Sequence, residues 1–159
     1  GGTQERGIRA GTESIHDIVG LDESLALSYQ FLEVENAQVR DLKSYFISEL
    51  TNHIPGIKFN GACSDSEIST YTLVNICLPV SATSAPMFLF QLDLKGIACS
   101  KGSACQSGSG KGSHVLAEIL KEEDMKRPSI RFSLSIYNTK KEVQSVVSIL
   151  KELVNEANS

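Results

Sequence analysis

Ser129-Ile130-Arg131-Phe132-Ser133-Leu134-Ser135-Ile136 sets an apolar residue at every second position from Ile130 to Ile136, with Arg131, Ser133 and Ser135 between them. A period of two marks a half-buried strand, apolar face inward. Directly after it, from about Thr139 to Val154, the residues Val143, Val146, Val147, Leu150, Leu153 and Val154 fall on one stripe of a helix. A half-buried strand followed at once by an amphipathic helix predicts the α+β class. The expected architecture is a small antiparallel or mixed sheet with helices packed on one face.

The upstream chain fits that architecture. From Leu21 to Ile54 there is neither Gly nor Pro, and Val39, Leu42, Phe46 and Leu50 recur at helical spacing. This predicts a long helix, or two nearly continuous ones, with Ser14 and Asp17 in capping-box spacing and Pro55-Gly56 as the stop. Ile57 to Phe59 and Tyr71 to Leu78 read as strands. Ser84-Ala85-Pro86 opens a helix to Leu94, with Pro86 in its first turn. Gly96 ends that helix, Ile97 to Ser100 reads as a further strand, and His114 to Leu120 as a short helix.

Composition removes several classes of function. The 159 residues are 41% hydrophobic and 21% charged, and 15 Lys and Arg against 19 Asp and Glu give a net charge of −4. That is too apolar for a disordered chain and too acidic, with scattered lysines, for a nucleic-acid binder. No apolar run approaches the ~18 residues of a membrane span. The cysteines Cys63, Cys77, Cys99 and Cys105 contain no close pair of the kind a zinc site needs. Four free thiols imply a reducing compartment, the cytoplasm.

Eight of the twelve glycines sit in two windows, Gly1 to Gly11 and Gly102 to Gly112. The second holds Cys105 among small polar residues, with Lys101 and Lys111 near in sequence. A thiol becomes a nucleophile where cations favour its thiolate and a substrate can reach it. The pattern suits such a nucleophile and also an inert surface thiol. Cys77 and Cys99 follow apolar residues and read as small core residues, while Cys63 falls in a polar loop. Gly110-Lys111 is no phosphate-binding P-loop, because Cys105 and Gly112 stand where glycine and a hydroxyl residue are required.

Three other features bear on chemistry. The opening window carries Arg6, Arg9 and Thr12 ahead of a helix, a setting that suits a phosphate or carboxylate. Arg131 points off the apolar face of its strand, where it is either a bidentate partner for a substrate carboxylate or a solvent-facing arginine. His114, opening the post-loop helix, is either a proton shuttle or a surface residue.

Taken together these segments resemble a known family. Gly1-Gly2-Thr3-Gln4-Glu5-Arg6-Gly7-Ile8-Arg9-Ala10-Gly11-Thr12, followed by Ile18-Val19-Gly20, resembles the signature of NifS/IscS-type cysteine desulfurases. Gly102-Ser103-Ala104-Cys105-Gln106-Ser107-Gly108 resembles their active-site loop, and Ser129-Ile130-Arg131-Phe132-Ser133-Leu134 their substrate-arginine strand. The three occur in family order. The resemblance implies a pyridoxal 5'-phosphate enzyme of the fold-type I, class V aminotransferase group, acting as a homodimer on L-cysteine. Cys105 would be nucleophile and persulfide carrier and Arg131 the partner of the substrate carboxylate. Thr12 would contact the cofactor phosphate bound in the partner subunit. The sulfur would pass to an iron–sulfur scaffold or another acceptor, including tRNA thiolation.

One departure stands out. The family's cofactor-attachment lysine lies in a Ser-His-Lys context, and no His-Lys pair occurs in this chain. The chain also opens on Gly1 rather than Met. Both features read as a C-terminal fragment, inactive by itself. In that reading residues 1–20 are the tail of the large cofactor-binding domain and 21–54 a connecting long helix. Residues 55–159 are then the small C-terminal domain, with the cysteine loop at about 99–112. Cys99, six residues before Cys105, is a possible persulfide acceptor or resolving thiol, with a core position as the alternative. Two other readings compete: a related cysteine or selenocysteine lyase or aminotransferase in which Cys105 is incidental, and a thiol-based metal or sulfur carrier.

Overall fold

The computed structural model describes residues 1–81, 85–101 and 113–159. They form two compact units, Gly1–Glu35 and Asn36–Ser159. The first holds a 3₁₀ turn at Glu5–Gly7 and the N-terminal part of helix α1, which runs Ile15–His53. Glu5 and Arg6 have φ of 50° and 55°, and Gly7 and Gly11 lie at 79° and 104°. Glycine permits that last region without strain. Ser14 and Asp17 meet, but as a side-chain pair: the Ser14 hydroxyl donates to the Asp17 carboxylate at 2.6 Å.

The second unit is built on a three-stranded antiparallel sheet in the order β1 (Lys58–Phe59), β2 (Leu73–Cys77), β3 (Ser129–Ser133). In the β2–β3 register Val74 faces Phe132 and Ile76 faces Ile130, while Asn75 faces Arg131. The four apolar side chains are buried on one face, against Leu42, Phe46 and Leu50 of α1. Phe88 and Leu92 of α2 (Ala85–Leu94) and Val143, Val147, Leu150 and Leu153 of α5 (Lys140–Ala157) complete that core. Phe46 meets Phe132 edge to face, with centroids 5.3 Å apart. Thr139 caps α5: its side chain accepts from the Glu142 N–H while Glu142 reaches back to the Thr139 N–H, so two orphan donors are satisfied at once. Among the described residues no helix is long and apolar enough to cross a membrane.

Three expected strands are shortened, Tyr71–Leu78 to Leu73–Cys77 among them, and one vanishes. The alternation to Ile136 ends as a strand at Ser133, because the Ser135 N–H turns to the Asn138 side chain at 2.9 Å and starts a turn. At Ile57–Phe59, only Lys58–Phe59 pairs with β2. Ile97–Ser100 is no strand. Its first N–H is tied back to the Leu92 carbonyl across Gly96, whose φ is 80°, so only Ser100 reaches the sheet, bridging to Arg131. The His114 helix appears as α3, His114–Ile119.

A short helix α4, Glu122–Met125, has no apolar period and is fastened electrostatically. Lys58 donates to both carboxylate oxygens of Asp124, at 2.7 and 2.8 Å, and Arg127 stands 3.6 Å away. The Lys58 hydrogen bond holds the Asp124 carboxyl below its ordinary range, against the upward push of burial. A lowered folded-state pKa stabilises above the ordinary carboxylate value, and that stability is lost as pH falls through the lowered one. Asp124→Asn is therefore expected to lower stability near neutrality and to flatten the acid limb of denaturation midpoints below about pH 4.

Candidate functional site

Arg131 sits at the centre of β3 on the face opposite the core. Its backbone N–H donates to the Ser100 carbonyl at 2.8 Å, and its carbonyl accepts from the Ser100 N–H at 3.0 Å. Both main-chain groups thus point away from β2, which makes Arg131 and Asn75 a non-hydrogen-bonded pair, the closer of the two antiparallel spacings. The Arg131 Nε is buried and has no hydrogen-bond partner among the described residues. A buried charged donor left unpaired is costly, and the remedy for a guanidinium fork is a planar anion such as a carboxylate.

Asn75 is held in place. Its Oδ1 accepts from Asn60 Nδ2 at 2.9 Å, and the same Nδ2 donates to Ser129 Oγ at 3.0 Å. The Cys63 thiol donates to the Asn75 carbonyl at 3.1 Å and accepts from its N–H at 3.4 Å. Asn60 and Cys63 are both buried. Cys63 is therefore fixed at the edge of β2, next to where β1 pairs, while its polar surroundings in sequence suggested only a loop. Asn60 and Asn75 were missed, although an amide inside the apolar run Leu73–Cys77 is a visible signal.

Cys105 and its glycine-rich neighbours lie outside the described residues. Ser100 and Lys101, which lead into that segment, are described, and Ser100 is the residue bridged to Arg131. Beyond it, Ser113 caps α3 by accepting from the Leu116 N–H. His114 is exposed at the start of α3 and makes no hydrogen bond or ion pair among the described residues. Cys63, Cys77 and Cys99 are free thiols. Cys99 packs half-buried against the core, and burial, then Asp93, pushes its thiol up. Cys77 is fully buried, and burial, then Asp124, raises it too. Both shifts disfavour the thiolate, in keeping with the core positions read for Cys77 and Cys99.

Thr12 belongs to the first unit. It is exposed and follows Gly11, whose N–H donates to Gln4 Oε1 at 3.2 Å. Arg9 is engaged by Glu13 at 2.9 Å. Among the described residues no three His, Cys, Asp or Glu side chains cluster in a way that could hold a metal ion.

Comparison with known proteins decides the family. Residues 2–146 match the model of the class-V aminotransferases. The chain belongs to that family. It is 32% identical over 156 residues to the cysteine desulfurase IscS of Dictyoglomus turgidum, covering 98% of this chain and 38% of the relative. With the putative cysteine desulfurase IscS 1 of Bacillus subtilis it shares 36% over 155 residues, 97% of this chain and 40% of the relative. A NifS-like protein from Rickettsia africae superposes with a TM-score of 0.76 at 25% identity, over 98% of this chain and 39% of that one. The chain thus spans about two-fifths of the length of these class-V relatives.

Within the first unit, one residue fits the pyridoxal phosphate that the family resemblance implies: Thr12 offers an exposed hydroxyl beside a glycine turn. In the second unit, the buried Arg131 Nε without a partner among the described residues suits a carboxylate rather than the cofactor. The sequence has no His-Lys pair, and the most buried lysine among the described residues, Lys43, donates to Ser69 and Thr70.

Proposed function

We propose that this chain is the cysteine-loop portion of a pyridoxal phosphate-dependent cysteine desulfurase, with residues 55–159 its small domain. Residues 21–54 are then the connecting helix and 1–20 the tail of the large domain. The observation that carries the reading is the buried, unpaired Nε of Arg131 on the strand bridged to Ser100, in a chain whose relatives bear that activity in their names.

Pyridoxal phosphate, when bound, supplies the electron sink that lets the C–S bond of cysteine break. Arg131 holds the substrate carboxylate in bidentate fashion and so fixes where the substrate sulfur lies. The Cys105 thiolate attacks that sulfur. An S–S bond forms and the C–S bond breaks, its electron pair going to the carbon side, which takes up a proton and leaves as alanine. The persulfide stays on Cys105 for transfer to a thiol of an iron–sulfur scaffold or another acceptor. Thr12 serves the cofactor phosphate of the partner subunit in a cytoplasmic homodimer.

The test is alanine formation from L-cysteine by a chain completed to the length of its relatives, wild type beside Cys105→Ser. In the same enzyme Arg131→Met is expected to lower kcat/KM about a hundredfold. Most of that loss should fall on KM for cysteine, with cofactor absorbance retained. An unchanged KM would remove Arg131 from substrate binding.

A further inference from the structure

A second cluster of charged side chains shares no residue with the chemistry above. Arg40 and Lys43, one turn apart on α1, line one cleft of about 170 Å³ with Ser64, Ser66, Ser69 and Tyr71. Lys43 is only 3% exposed. Its ammonium donates to Ser69 Oγ at 2.7 Å and the Thr70 carbonyl at 2.8 Å, which leaves one N–H free. Arg40 donates through Nε to Asn36 and through Nη1 to the Ser66 carbonyl. Its guanidinium lies 5.7 Å over the Tyr71 ring, and Nη2 has no partner among the described residues.

Every one of those acceptors is neutral. Asp65 and Glu67 stand in the facing loop, but Asp65 accepts from the Glu67 N–H and Glu67 from the Ser66 hydroxyl. Neither forms an ion pair with Arg40 or Lys43 among the described residues. Burial lowers the Lys43 pKa, Arg40 lowers it further, and Cys63 and Asp65 offset this only in part. Two neighbouring cations thus face one cleft with no carboxylate within ion-pair distance of either among the described residues, Asp65 acting on Lys43 only from farther off.

We propose that this cleft binds a tetrahedral oxyanion of the phosphate or sulfate class. Its volume is below the ~300 Å³ at which organic ligand pockets begin. Its donors are the Arg40 guanidinium edge, the remaining N–H of the Lys43 ammonium and the Ser64 hydroxyl, three separate groups around one small cleft. Bound there, the anion ties α1 to the 64–71 segment. Ser69 of that segment also donates to the Cys63 carbonyl, and Cys63 grips the Asn75 backbone opposite Arg131. The proposal stands on these contacts and is independent of the desulfurase reading.

Amide spectra of the chain titrated with sodium phosphate, against sodium chloride at matched ionic strength, test it. Saturable shifts confined to residues 64–71 and the Arg40 side chain are expected. Arg40→Gln should weaken binding about tenfold or more, and Thr12→Val should leave it unchanged. Ser64→Glu places a carboxylate in the cleft from an exposed position, so it should abolish binding in a chain that still folds, whatever becomes of Arg40→Gln. Phosphoserine binding more tightly than inorganic phosphate would assign the site to a phosphoryl group on a larger molecule, and weaker binding to the free ion. Equal shifts with chloride, shifts confined to the Gly7–Thr12 turn, or undiminished binding in Ser64→Glu would each overturn the proposal.

Discussion

Cys105→Ser is expected to stop alanine formation from L-cysteine in the completed enzyme, a loss of about a thousandfold or more. Serine replaces sulfur by the smaller oxygen at the same position of the side chain, so the substitution adds no bulk. What it cannot do is the chemistry. A thiol is appreciably ionised near neutral pH, whereas an aliphatic hydroxyl is not, and the attack on substrate sulfur needs the anion. No described thiol can take over. Burial raises both Cys77 and Cys99 away from the thiolate, and Cys63 is buried with its sulfur held at the Asn75 backbone. The same experiment separates the competing enzyme. Alanine or another product forming at an undiminished rate would mean that the carbon–sulfur bond breaks without a protein nucleophile, as in a lyase in which Cys105 is incidental.

The parts of the fold that were legible are those where one periodicity acts alone. Ile130 and Phe132 alternate with Arg131 because one face of β3 meets the core, and the valines and leucines of α5 repeat because one stripe does. Legibility fails where a long-range or backbone contact decides. Ile97–Ser100 has the composition of a strand, yet the Gly96 turn returns its first N–H to the Leu92 carbonyl and leaves one residue for pairing. α4 has no apolar repeat to read and exists through Lys58, 66 residues away from Asp124 in sequence. In the candidate site, Arg131 was visible as a polar residue between apolar ones, but nothing in the alternation separates a solvent-facing arginine from one whose Nε is buried. That distinction is tertiary. So is the Asn60–Asn75–Ser129 chain of hydrogen bonds beside it, which joins residues 15 and 69 positions apart. The role proposed for Cys105 rests on the order of three motifs, because composition fits an inert thiol equally well.

Phe46→Ala is expected to cost the Asn36–Ser159 unit about 3–4 kcal/mol. Phe46 is 2% exposed and packs its ring edge-on against Phe132 at an interplanar angle of 83°. The substitution removes the ring's transfer energy and also the aromatic pairing, worth roughly 0.5–1.5 kcal/mol beyond area. The upper end of the usual range is not expected. Phe46 borders a cleft of about 480 Å³ that also touches Ile97, Phe132 and Val146, so water or neighbouring side chains can enter the truncated site and no sealed void remains. Against the 5–15 kcal/mol typical of a whole domain the loss is still large. It should appear as a lower denaturant midpoint with an unchanged slope and a fall in Tm of about 10–15 °C. Phe46→Leu, which keeps much of the volume, should cost less than half as much. The comparison also tests the docking of α1. If Phe46→Ala costs under about 1 kcal/mol, the C-terminal part of that helix does not pack on the sheet in solution. Phe132, the residue next to Arg131, would then lack the ring that holds it from the core side.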